Sequence, residues 1–224
     1  MRDFLIDNAL LLVRGLTLLE AVLTCILFAD FKHKREPIIL CMALLGVGLL
    51  YDAVILGTGG QILSPLLPLF SRLRFVLHGL LLPLNLIICA YALPLYRRPL
   101  YAAWIVTGIV MAAGMAAGCY REIGLAEEIG GIVRYVSVSP KDAWTERINT
   151  VLSFGTVIPL ILTGIAVLIR QKSPSILLAG VLMFAFSALG PATGNADLIF
   201  LISMFGEFFL LLFLMIYEKR HVTQ

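Results

Sequence analysis

A chain of 224 residues with 60% hydrophobic and only 14% charged residues, and a mean hydropathy of +0.99, departs from a soluble domain, where roughly 25% of residues are charged. A water-soluble fold of this size has too little interior to hide so much apolar surface, so the solvent is read as lipid. Long apolar runs and a net charge of only +3 exclude a disordered chain, a coiled coil and a nucleic-acid-binding domain.

A helix needs about 20 mostly apolar residues to cross a hydrocarbon core roughly 30 Å thick. Seven segments are candidates, in chain order Leu5–Phe28, Ile38–Leu56, Leu67–Leu95, Leu100–Cys119, Val151–Ile169, Ile176–Leu189 and Leu198–Tyr217. The sixth is the shortest. Charge combined with Pro or Gly punctuates the chain between them, as at Lys32 to Pro37, Arg97 to Pro99 and Arg170 to Pro174. Runs such as Phe208 to Ile216 do not alternate, so a β-barrel is excluded. The expected fold is an all-α membrane protein, one transmembrane domain over residues 1–224 built as a seven-helix bundle. Arg14 and Glu20 interrupt the first apolar stretch and no basic region precedes it, so it reads as a span and not as a cleaved signal.

The fourth span carries Gly114-x-x-x-Gly118, a close-packing surface. After it comes a long loop, about 120–150. Within that loop a short amphipathic helix is expected around Glu122–Ile132. The alternation from Gly130 to Val138 suggests a hairpin or lid. The turns after the first and fifth spans match in style, basic residues followed by Glu36-Pro37 or Ser173-Pro174, which hints at two three-helix repeats about a linker helix.

Orientation follows from Lys and Arg placement. With seven spans, Lys32, Lys34, Arg35, Arg97, Arg98, Arg170, Lys172, Lys219 and Arg220 all fall on one side. The N-terminus is therefore expected outside and the C-terminus in the cytoplasm, in a multi-pass protein of the plasma (inner) membrane. Tyr96, Tyr101 and Tyr217 would form the inner aromatic belt, and Tyr120, Tyr135 and Trp144 the outer one.

Ionisable groups inside the spans are the most informative feature, because each costs about 2.5–3.5 kcal/mol on insertion scales and faces a partner or a wet cavity. Counting about 1.5 Å per residue puts Glu207 and Glu20 near the middle of the bilayer, Arg14, Asp52 and His78 roughly 4–8 Å outward, Arg74 one turn further and Asn85 somewhat inward. Arg74, His78 and Asn85 share one face of the third span, where Pro83 is expected to break the helix. Ser203 and Glu207 share one face of the seventh. Arg14 is the expected salt-bridge partner of Glu20 or Asp52. Glu207 has no basic residue in its own span, so it needs a partner from another helix or a proton.

Absences narrow the chemistry. Three histidines, two of them outside the spans, cannot build a three-His zinc site or an axial-His haem site. No Walker-type loop or nucleophile elbow occurs, and no metal or cofactor is expected. The leading expectation is a carrier or binding protein for a small anionic or zwitterionic solute, with transport linked to protons through Glu207. Its outward-facing pocket would lie between the first, second, third and seventh spans, with Arg14, Glu20, Asp52, Arg74, His78, Asn85 and Glu207 as ligand-binding residues and membrane lipid around it. The alternatives are a lipid-acting intramembrane enzyme with His78 as base oriented by Asp52, and a sensor with a separate cytoplasmic partner.

Overall fold

The computed structural model describes residues 2–62, 65–93, 97–192 and 198–222. It is 83% helical. A short helix α1 (Arg2–Asp7) leads into α2 (Ala9–Lys34), α3 (Pro37–Thr58), α4 (Leu67–Leu81) and α5 (Leu84–Ala92). Then come α6 (Arg97–Tyr120), strands β1 (Ile123–Leu125) and β2 (Tyr135–Ser137), α7 (Trp144–Gln171), α8 (Ser175–Ala192) and α9 (Ile199–Tyr217). A π-helical turn over Glu218–Val222 closes the described chain.

Six helical stretches among the described residues are long and apolar enough to cross a membrane, the joined α4–α5 unit counting as one, and Ser175–Leu189 is a shorter apolar helix. This fits an all-α polytopic membrane protein. Two boundaries differ from those expected. The first apolar helix starts at Ala9, after a break at Asn8. The fifth starts at Trp144, two turns before Val151, so Glu146 and Asn149 are helical and not loop residues.

Chain chemistry explains the breaks. Pro83 has no N–H to offer the Gly79 carbonyl four residues back. The helix steps at Leu82–Pro83, where the Leu82 amide still reaches the His78 carbonyl at 3.1 Å. The released Gly79 carbonyl oxygen sits where a Cβ on Gly114 would stand, and Gly118 packs equally tightly on the backbone of Phe75 and Val76. Gly114 and Gly118 thus bring α6 against α4 backbone to backbone, as their spacing predicts. Most of the rest of α6 faces outward.

The turns after α2 and α7 are built alike. Arg35 and Lys172 each take a left-handed conformation with φ 57°, and their amides cap Phe31 at 2.9 Å and Leu168 at 3.1 Å. Pro37 then opens α3 and Pro174 precedes α8.

The amphipathic helix expected around Glu122–Ile132 is not formed. That stretch begins with β1, which pairs antiparallel with β2 through Ile123–Ser137, Gly124–Val136 and Leu125–Tyr135. The strand pairing expected from Gly130 onward therefore reaches back to Ile123, and the ladder pairs the facing backbone groups of the two strands. Gly130 and Gly131, at φ 54° and 79°, make the turn that left-handed backbone allows glycine without strain. Among the aromatic anchors, Tyr101, Tyr120 and Trp144 are exposed, whereas Tyr217 is buried. The Tyr217 hydroxyl donates to Gln171 Oε1 at 3.1 Å. Tyr96 and the turn over 193–197 lie outside the described residues.

Candidate functional site

Two apolar clusters stack along the bundle axis. The one at the hairpin end joins Val13 and Leu16 of α2, Ala53 and Leu56 of α3, and Leu201 and Met204 of α9. The other resumes at Leu23, Leu49 and Leu210 on the same three helices. Between them, at one level, lie Glu20, Asp52 and Glu207. Glu20 is fully buried and Glu207 is 6% exposed. The shared depth expected from residue counting is therefore a break in the core occupied by three carboxyls.

Asp52 is the hub. Its carboxylate pairs with Arg74 Nε at 2.9 Å, and it lies within electrostatic reach of Glu20, His78 and Glu207. Arg74 also acts on His78 and Glu207. Fully ionised, three carboxyls would face Arg74 and the titratable His78, so the cluster would be net negative. Protons or a ligand's cation would balance it.

Arg14 does not join this cluster as a salt-bridge partner. Its side chain is exposed, and Nε donates to the Gly57 carbonyl at 3.3 Å. The reason is azimuth: Arg14 lies beside the end of α3, while Asp52, almost two turns earlier in α3, faces α4. Asn85 is buried but lies about 10 Å deeper than His78 along the helix. Neither of its amide atoms has a hydrogen-bond partner among the described residues.

A second layer, drawn from the segment expected as a long loop at about 120–150, braces the first from the hairpin end. Arg74 Nη2 donates to the Tyr135 carbonyl of β2 at 3.2 Å. Ser137 Oγ donates to Glu146 Oε1 at 2.6 Å, and Arg121 Nε pairs with that same oxygen at 3.2 Å. The guanidinium carbons of Arg74 and Arg121 lie 4.8 and 5.0 Å from the centre of the Phe75 ring, within cation–π range. Burial pushes Arg121 below the ordinary arginine value, Glu146 pushes it back up, and Arg74 pushes it down. The usable signal for this layer was the position of Arg121, one residue past a membrane-length helix.

Beside the cluster opens a cavity of about 800 Å³. His78 of α4 and Glu207 of α9 both line it, with Ser203 one turn above Glu207, and Asn149, Ser153 and Ser187 on α7 and α8. Its walls differ from the expected ones. They come from the third, fifth, sixth and seventh apolar segments, and the first and second contribute none of the lining residues described. Arg14, Glu20, Asp52, Arg74 and Asn85 do not line it. No group of three or more His, Cys, Asp or Glu side chains among the described residues could hold a metal ion. Compared with known proteins, the chain matches no protein family and no curated protein.

Proposed function

We propose that the chain is a carrier or binding protein of the plasma membrane. It would cross seven times with its N-terminus outside and its C-terminus in the cytoplasm, and hold a small zwitterionic solute between His78 and Glu207. One observation carries this reading: two ionisable side chains from different helices line one cavity of ligand size within a membrane-type helical bundle. A zwitterion fits better than a plain anion. Glu207, backed by Glu20 and Asp52, would take the cationic end and His78 the anionic end, while the arginines first considered for an anion are occupied by Gly57 and Asp52. Asp52 is engaged with Arg74 as well, which weakens it as an orienting partner for His78 and ranks a lipid-acting enzyme second. Proton linkage would follow from Glu207 exchanging its proton for the solute's cation.

Purified protein screened against small zwitterionic and anionic solutes should be stabilised by a binder, by about 2.7 kcal/mol at a hundred times its dissociation constant. His78→Ala and Glu207→Gln should each abolish that stabilisation. In proteoliposomes Glu207→Gln should also remove the pH dependence of uptake. Stabilisation unchanged in both variants would refute the site. For orientation, an impermeant maleimide added to intact cells should label Cys119, exposed at the end of α6, and Cys119→Ser should remove the label. Labelling only after permeabilisation would invert the topology.

A further inference from the structure

We infer that the ligand of this cavity is a single-chain zwitterionic amphiphile that enters sideways from the hydrocarbon between α7 and α8. The inference rests on the His78–Glu207 site proposed above and adds the ligand's class and route.

The cavity's wall reaches the bundle surface on α7 and α8, where Phe154, Phe184 and Ala188 are exposed together with Ser153 and Ser187. Phe154 and Phe184 line the cavity, and both belong to exposed stripes that would face lipid. On α7 the stripe is Val151, Phe154, Ile158, Leu162 and Ile165; on α8 it is Val181 and Phe184. Helical spacing puts each set on one face. A pocket whose wall is also the bundle's outer face opens to what surrounds the bundle.

The two helices are closed at one end and open at the other. Toward the basic-loop end, Gly164 lies against the backbone of Ile176 and Leu177, and Gly180 against Ile161. No side chain would fit at Gly164. About 15 Å further along α7, the helices meet instead through the Phe154–Phe184 ring pair, with centroids 6.4 Å apart. Backbone contact at one end and a pair of rotatable rings at the other give a gap that can widen by side-chain motion.

The aqueous route over the carboxyl cluster is covered. The β1–β2 hairpin packs its Gly130 turn on Ile6 and Ala9 and its Val133 carbonyl on Gly59. It binds Arg74 through Tyr135 and lays Arg134 over Phe200 with 4.2 Å to the ring centre. It thus spans the outer ends of α2, α3, α4 and α9.

Chemistry around the cavity is divided between helices. The two ionisable groups, Glu207 and His78, line it from α9 and α4 beside Ser203, while α7 and α8 supply the apolar wall of Val157, Met183, Phe154 and Phe184 together with the uncharged polar groups of Asn149, Ser153 and Ser187. A polar end with an ammonium for Glu207 and an anionic oxygen for His78, carried on one apolar chain reaching the α7–α8 mouth, satisfies both halves. A solute lacking the chain would leave the apolar wall uncovered.

The test uses full-length protein in nanodiscs and a lysophosphatidylcholine probe carrying a diazirine in its acyl chain. On irradiation, label should concentrate on α7 and α8 residues of the cavity. Excess unlabelled lysophosphatidylcholine should compete, and water-soluble glycerophosphocholine should not. Ala188→Trp and Ser153→Trp, which fill the cavity from opposite helices, should each reduce labelling at least tenfold. Leu162→Trp, on the same lipid-facing stripe outside the cavity, should leave it unchanged, and thermal unfolding verifies that each variant is folded. Label spread evenly over the lipid faces of α2 and α6, or undiminished in both filled variants, overturns the inference. Equal competition by glycerophosphocholine overturns the amphiphile and its route while supporting the His78–Glu207 site. Cavity labelling that survives both His78→Ala and Glu207→Gln overturns the placement of the polar end, and with it the site itself.

Discussion

Replacing Asp52 with Asn removes the carboxylate 2.9 Å from Arg74 Nε and strands a guanidinium side chain that is only 9% exposed. Stranding one member of a buried pair costs on the order of 3–5 kcal/mol. Asp52 itself is 17% exposed and the Tyr135 carbonyl still accepts from Arg74, so the lower end, about 3 kcal/mol, is expected. At about 2–4 °C per kcal/mol for a chain of this size, Asp52→Asn should melt roughly 6–12 °C lower. Arg74→Met should lose a similar amount, because it leaves three carboxyls with no guanidinium among them. The double variant Asp52→Asn/Arg74→Met removes both charges and should recover much of the loss, giving a coupling energy of about 2–3 kcal/mol. Thermal unfolding in detergent followed by tryptophan fluorescence suits the measurement. Trp144 opens α7 next to the hairpin, its ring centre 6.0 Å from that of Tyr120, so it reports the region Arg74 braces. Losses that simply add in the double variant would refute the pairing as the cluster's organising contact.

Two further stability comparisons follow from packing and burial. Gly114→Ala should destabilise by about 1–3 kcal/mol, because its methyl group lands on the Gly79 carbonyl; Gly155→Ala, on α7 with open space beside it, should be neutral or gain up to about 1 kcal/mol in helix propensity. Melting temperatures of the two variants moving in the same direction would contradict the α4–α6 contact. At the other end of the bundle, Glu218 is fully buried against Lys34, so Glu218→Ala should cost on the order of 3 kcal/mol. Lys219 pairs with Asp30 at 2.6 Å but is 46% exposed, so Asp30→Ala should cost under about 1 kcal/mol, and equal melting shifts would refute the distinction.

What the residues alone made legible was whatever depends on one helix at a time. Apolar length identifies membrane segments because each segment must meet hydrocarbon by itself. A fixed rise per residue placed Glu20, Asp52 and Glu207 within one slab about two to three turns thick, and the three lie between the two apolar clusters. Azimuth is different, since it is set by how helices roll against one another. By depth Arg14 was the better match for Asp52, with Arg74 one turn further out, yet Arg74 makes the pair, and the backbone contact of Gly79 with Gly114 helps fix the roll of α4. The start of α7 was hidden because Trp144 to Thr150 is polar, and hydropathy carries no signal for a helix that projects beyond hydrocarbon; Glu146 and Asn149 were lost with it. Ser153 and Ser187 look like tolerated polar residues on lipid-facing helices until the cavity between those helices is known. That cavity lies where α7 and α8 change from backbone contact at Gly164 and Gly180 to contact through the Phe154 and Phe184 rings. Such a change belongs to pairs of residues ten or more positions and one helix apart, so no local pattern announces it.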